Sequence, residues 1–165
     1  MKIDLEFDYP ADVQTVYLVL GDLQFLEAMH TSFGHRDIAV TANRMESGRR
    51  LLAFSHVVDA DIPGVAKRVL GRANTVRQTE EWGPPGSDGS RTGQWTAHVA
   101  GTPVRMKGAL YLNAREIGCV HRTTADVTVG IPIVGGKIAD LAGRQVMEQL
   151  RREAAFTKTW LTRNN

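Results

Sequence analysis

Residues 129–150 read VGIPIVGGKIADLAGRQVMEQL: an apolar, strand-like run stops at Pro132, passes Gly135 and Gly136, and becomes a helical pattern running almost to the C-terminus. At about 100° per residue, Ile138, Ala142, Val146, Leu150, Ala154, Phe156, Thr157, Trp160 and Leu161 fall within one half of the helical wheel. Asp140, Arg144, Glu148, Arg151, Arg152 and Lys158 take the other half, and Glu153 alone is charged on the apolar side. A helix over 137–161 is about 37 Å long at 1.5 Å per residue. A ten-residue strand reaches about 33 Å. Such a helix can lie along an entire sheet, and Gly135 and Gly136 supply the backbone freedom for the chain to double back from its last strand.

The residues upstream supply that sheet. KIDLEFDY alternates Ile3, Leu5, Phe7 and Tyr9 against charged neighbours, the mark of a strand with one buried face, and Pro10 ends it. Val13, Val16, Tyr17 and Leu20 then repeat at helical spacing up to Gly21, and Asp22 caps a second short helix reaching about Ser32. From residue 35 to 130 the period is mostly two. RDIAVTAN, RRLLAFSHVV, ANTVRQTEEW, RTGQWTAHVA, VRMKGALYLNA and CVHRTTADVTV read as six further strands. Short turns between them predict antiparallel neighbours. The exception is 59–71, where Pro63-Gly64 and the Val65, Val69, Leu70 spacing predict a bent link with one helical turn. The predicted architecture is α+β, a helix-grip fold. A seven-stranded curved antiparallel sheet wraps a long C-terminal helix, with two short helices after the first strand.

Composition bounds what such a domain does. A chain of 165 residues is expected to form a single domain, 1–165, with a substantial core. A net charge of +2 is too balanced for a dedicated nucleic-acid binder, and no apolar run approaches the ~18 residues of an integral membrane span. The lone Cys119 excludes an internal disulfide, and the N-terminus carries no signal-peptide or lipidation pattern, so a cytoplasmic location is expected. Arg49, Arg50, Arg144, Arg151 and Arg152 read as solvated faces. His30, His35 and His56 lack zinc spacing, and Cys119-x-His121 has no partner pair, so no metal is expected. VGGK lacks the spacing of a phosphate loop, and no cofactor is implied.

Alternation assigns side chains to the face that meets the long helix. Phe54, His56, Gln78, Glu80, Trp82, Trp95, Met106, Leu110, His121 and Thr123 point inward from the strands, with Val146 and Leu150 opposite them on the helix. The polar members are informative, because a buried polar group without a partner costs about 1–3 kcal/mol. Glu80 and His121 in one apolar hollow would form an acid/base pair, with burial raising the carboxyl pKa and lowering that of the ring.

IPIVGGKIADLAGRQV, FTKTWL, TVRQTEEWGP and IPGVAKRVLG resemble the actinobacterial family DUF2505 over nearly the whole chain. That family is similar to the START-like, or polyketide-cyclase-like, superfamily of helix-grip proteins. The resemblance implies a small hydrophobic ligand held between sheet and helix; a lipid or polyketide-like metabolite there would meet the twelve residues that alternation and the helical wheel select. One alternative is a cyclase, dehydratase or hydrolase using Glu80 and His121 as acid and base. Another is a structural or interaction domain whose hollow is packed solid by Trp82, Trp95, Met106 and Met147. The sequence leaves the oligomeric state open.

Overall fold

Strand alternation and two aspartate caps organise the chain in a computed structural model, which describes residues 1–59 and 73–163. Strand β1 (Lys2–Tyr9) is followed by helices α1 (Val13–Leu20) and α2 (Leu23–Ser32). The Asp12 and Asp22 carboxylates accept from the backbone N–H of Thr15 and Phe25, each at 2.8 Å, satisfying donors that a helix start leaves unpaired. Strands β2 (Arg36–Glu46), β3 (Arg49–Asp59), β4 (Ala73–Trp82), β5 (Arg91–Val99), β6 (Val104–Ala114) and β7 (Cys119–Val129) come next, and helix α3 (Gly135–Arg163) ends the chain. The link predicted across 59–71 lies, beyond Asp59, outside the described residues.

The strands form one antiparallel sheet in the order β1-β7-β6-β5-β4-β3-β2. Consecutive strands from β2 to β7 are neighbours, as the short turns after β2, β4, β5 and β6 favour. The α1–α2 segment carries the chain from one edge strand to the other. Helix α3 packs on β7, β1 and α2, in the hollow of the sheet, which gives the seven-stranded helix-grip fold expected from the sequence. The core joins Ile3, Tyr9, Val16, Tyr17, Trp82, Leu112 and Val127 to both ends of α3 through Ala142, Ala154 and Leu161.

Two expectations need correction. The hinge before α3 does not use glycine for its backbone angles. Its left-handed residue is Ile133, at φ +68° and fully exposed. A β-branched side chain in that region costs about 1–2 kcal/mol. Gly135 is required for a different reason: a Cβ there would meet the Val129 carbonyl oxygen at 2.5 Å, so the helix starts hard against the strand it leaves.

Arg50 is also not a solvated charge. It is 3% exposed, donates to the Tyr17 carbonyl, and lies with its guanidinium 4.2 Å from the centre of the Tyr17 ring. The room for it comes from Gly21, where a Cβ would overlap the guanidinium. Burial lowers its pKa, and the Glu80 charge opposes that shift.

Candidate functional site

Helix α3 is buried at both ends but less so at its centre. Ile138, Ala139 and Ala142 on one side and Ala154, Thr157 and Leu161 on the other are closed off, while Val146 and Leu150 between them keep accessible surface. These two side chains face a cavity of about 650 Å³ between the sheet, α2 and α3. Its wall is mainly apolar, built from Leu20, Phe25, Leu26 and Met29 of the helix pair and from Val76, Trp95, Ala97, Met106 and Leu110 of the sheet. The hollow is therefore not packed solid. Trp82 and Trp95 are wall, and Met106 is one side of the space rather than its filling.

Trp95 forms its part of the wall through a local arrangement. A Cβ at Gly108 would lie 1.8 Å from the Thr124 carbonyl oxygen and 2.7 Å from the Trp95 indole nitrogen. With glycine there, the indole lies over β6 and donates to the Thr124 carbonyl at 2.9 Å, while the Thr124 hydroxyl accepts from the Ala109 N–H. A large aromatic surface thus faces the cavity with its one donor satisfied.

All twelve residues that alternation and the helical wheel select line this space. The polar side chains on the sheet and α3 walls include two amide–carboxylate pairs, of which only Gln78–Glu80 is among the twelve, and the His121 ring. Glu80 accepts from the Gln78 amide at 2.9 Å through one oxygen and from the Trp82 indole at 3.2 Å through the other. Facing it from α3, Glu153 accepts from the Gln149 amide at 2.9 Å. Burial pushes the Glu153 carboxyl up to about 7, the Gln149 bond opposes that, and the nearby Glu80 charge reinforces it. His121 has its Nε2 3.4 Å from the Thr123 hydroxyl, a weak contact, and burial pushes the ring down to about 4. Among the described residues no hydrogen bond or ion pair joins Glu80 to His121.

Sequence reasoning missed three contributions. Glu153, the charged exception on the apolar side of the wheel, is a cavity carboxyl. Tyr9, at the end of β1, adds a phenol beside Thr157, with its pKa raised chiefly by burial. The third is a histidine cluster. His30, His35 and His56, set aside on sequence spacing, have ring nitrogens within 4.8 Å of one another and all line the cavity. Cys119 is a buried thiol pushed up to about 11 by burial, which leaves it protonated and unsuited to nucleophilic work.

Comparison with known proteins places this geometry in a family. The sequence profile of the family described as "Protein of unknown function (DUF2505)" matches residues 4–161, and the chain belongs to that family. An uncharacterized protein of Mycobacterium tuberculosis, Rv0481c, is 26% identical over 176 residues, covering 99% of this chain and 98% of the relative. Among solved structures, TTHA0849 from Thermus thermophilus superposes with a TM-score of 0.67 at 18% identity, covering 96% of this chain and 95% of that one. A START superfamily protein from Mycobacterium smegmatis superposes at 0.60 with 14% identity, covering 99% of each. These likenesses show the START-like fold. No helix among the described residues is long and apolar enough to cross a membrane.

Proposed function

We propose that this member of the DUF2505 family binds a small hydrophobic molecule, of lipid or polyketide-like character, in the cavity between sheet and α3. The observation that carries the reading is the space itself. About 650 Å³ of mainly apolar volume, in the middle of the molecule's principal core, lies within the range of ligand pockets, roughly 300–1,000 Å³. Leaving it unfilled forgoes dispersion contacts along the whole centre of α3.

The polar groups favour a ligand with one donor-bearing end. Glu80 and Glu153 present carboxyl oxygens from opposite walls, each held by a neighbouring amide, so a hydroxyl or amine placed between them meets oriented acceptors. His121 and Thr123 supply a second polar point on β7. An acid/base enzyme built on Glu80 and His121 has less support, since Glu80 is bonded to Gln78 and Trp82 while His121 contacts Thr123.

Native mass spectrometry of the chain purified from its own host tests the proposal, paired with binding of an environment-sensitive apolar fluorophore. A retained apolar molecule, or a fluorophore bound one per chain and displaced by fatty acids or polyketides, supports it. A chain that arrives empty and binds no apolar probe refutes it.

A further inference from the structure

His30, His35 and His56 are drawn together by a helix end. In the closing turn of α2 the His35 N–H donates to the His30 carbonyl at 3.0 Å and the Gly34 N–H to the Thr31 carbonyl at 3.0 Å. Gly34 is left-handed, at φ +77°. This is a Schellman termination, in which the residues at the two ends of the longer bond normally bring apolar side chains into contact. Here that position is taken by two imidazoles, whose Nδ1 atoms lie 2.8 Å apart. Strand β3 adds the third ring: His56 stacks on His35 at 4.6 Å and 7° and lies 4.3 Å from His30, centre to centre.

We propose that His30, His35 and His56 hold a divalent transition-metal ion of the zinc class, one nitrogen from each ring, at the wall of the cavity. The donor set is three imidazoles, which suits zinc and its neighbours rather than magnesium or calcium. Burial pushes His30 down to about 3 and His56 to about 4, and burial followed by the Arg152 charge lowers His35. All three are therefore neutral near pH 7, each with one unprotonated nitrogen; the hydrogen bond between the His30 and His35 Nδ1 atoms occupies one of these lone pairs and is given up when an ion binds. His30 and His56 are nearly closed to solvent, and the His30 Nε2 and His56 Nδ1 atoms have no hydrogen-bond partner among the described residues.

Ligand nitrogens at about 2.0–2.1 Å in a tetrahedral site stand roughly 3.4 Å apart. With Nδ1 as the ligand of both His30 and His35, their 2.8 Å separation must open slightly, and the remaining separations, all within 4.8 Å, must close by up to about 1.4 Å. His35, half-buried and just beyond the helix end, is the ring with freedom to move. The charge of Arg152, whose guanidinium sits 4.4 Å from the Phe33 ring, opposes the ion. Three protein ligands leave a tetrahedral ion one open position, and all three rings line the cavity, so that position faces the space where a ligand would lie.

The test uses the metal alone, so its outcome is separate from that of the apolar-ligand proposal. Chelator-stripped chain is titrated with Co²⁺, followed by its visible ligand-field bands, and the cobalt is then displaced with Zn²⁺. The expected result is one ion per chain, a dissociation constant of about 10 µM or tighter for zinc, and loss of at least about tenfold in His35→Ala and in His56→Ala. His98→Ala, a β5 histidine outside the cavity wall, should bind as the parent does. His35→Ala carries the test if the buried His56 variant fails to fold, with circular dichroism confirming its structure. Absence of tetrahedral cobalt bands, a zinc constant weaker than about 1 mM, or undiminished binding in folded His35→Ala overturns the proposal.

Discussion

Replacing Glu153 by glutamine should stabilise the protein above neutral pH and leave it unchanged in acid. The carboxyl sits on α3 facing the cavity, and burial lifts its pKa from 4.5 to about 7. A raised carboxyl binds its proton more tightly in the folded chain than in the unfolded one. Its contribution is therefore fully present below pH 4.5 and is lost progressively as pH rises through about 7. At about 1.4 kcal/mol per pH interval between the two values, the wild-type chain loses up to roughly 3 kcal/mol by pH 8. Glutamine keeps an oxygen for the Gln149 amide but never ionises, so the loss disappears. Urea unfolding of both chains, followed by tryptophan fluorescence at half-unit steps from pH 4 to 9, measures the difference directly. The histidines titrate in the same window with the opposite sign, but they are common to both chains and cancel in the difference. The variant should match wild type near pH 4 and exceed it by about 2–3 kcal/mol at pH 8. Parallel stability curves, with no divergence between pH 5 and 8, would refute the placement of a desolvated carboxyl in the cavity.

Other perturbations read other parts of the molecule. In metal-free protein, stability should fall as pH drops from 6.5 toward 4, because unfolded histidines take up protons that the buried His56 and His121 rings refuse until about pH 4. His121→Gln should make that fall shallower by about one proton, seen as a smaller pH slope of the unfolding free energy. Ala97→Phe, at a buried β5 position on the cavity wall, should weaken apolar-probe binding at least about tenfold while the far-ultraviolet spectrum is retained. Unchanged binding would place the probe elsewhere. Ile133→Gly should raise the unfolding free energy by about 1 kcal/mol through relief of the left-handed backbone, whereas Gly135→Ala, against the Val129 carbonyl, should lower it by about 1–3 kcal/mol, both read by urea titration.

The sequence by itself determined the fold, because its signals are periodic and local. Period two gives strands, a long 3.6-residue pattern gives α3, and Asp22 caps the second of two short helices. Alternation is also enough to say which strand residues face the helix, so much of the sheet's share of the cavity lining is legible from the sequence, while the wall supplied by α1 and α2 is not. Glu153 was legible too, as a single charge breaking an otherwise apolar half-wheel, yet a wheel cannot distinguish a carboxyl facing a hollow from one that lies at a solvated edge. Only the tertiary structure decided what meets what. Glu80 bonds within its own strand instead of reaching His121, Arg50 is drawn inward because Gly21 makes room for it, and the hinge strain falls on Ile133 rather than on glycine. The histidine cluster is the clearest case. Two of its members are joined by a helix termination around Gly34, and the third comes from the separate strand β3. Contacts of that kind depend on where separate elements stop and cross, and no periodicity within one element carries that information.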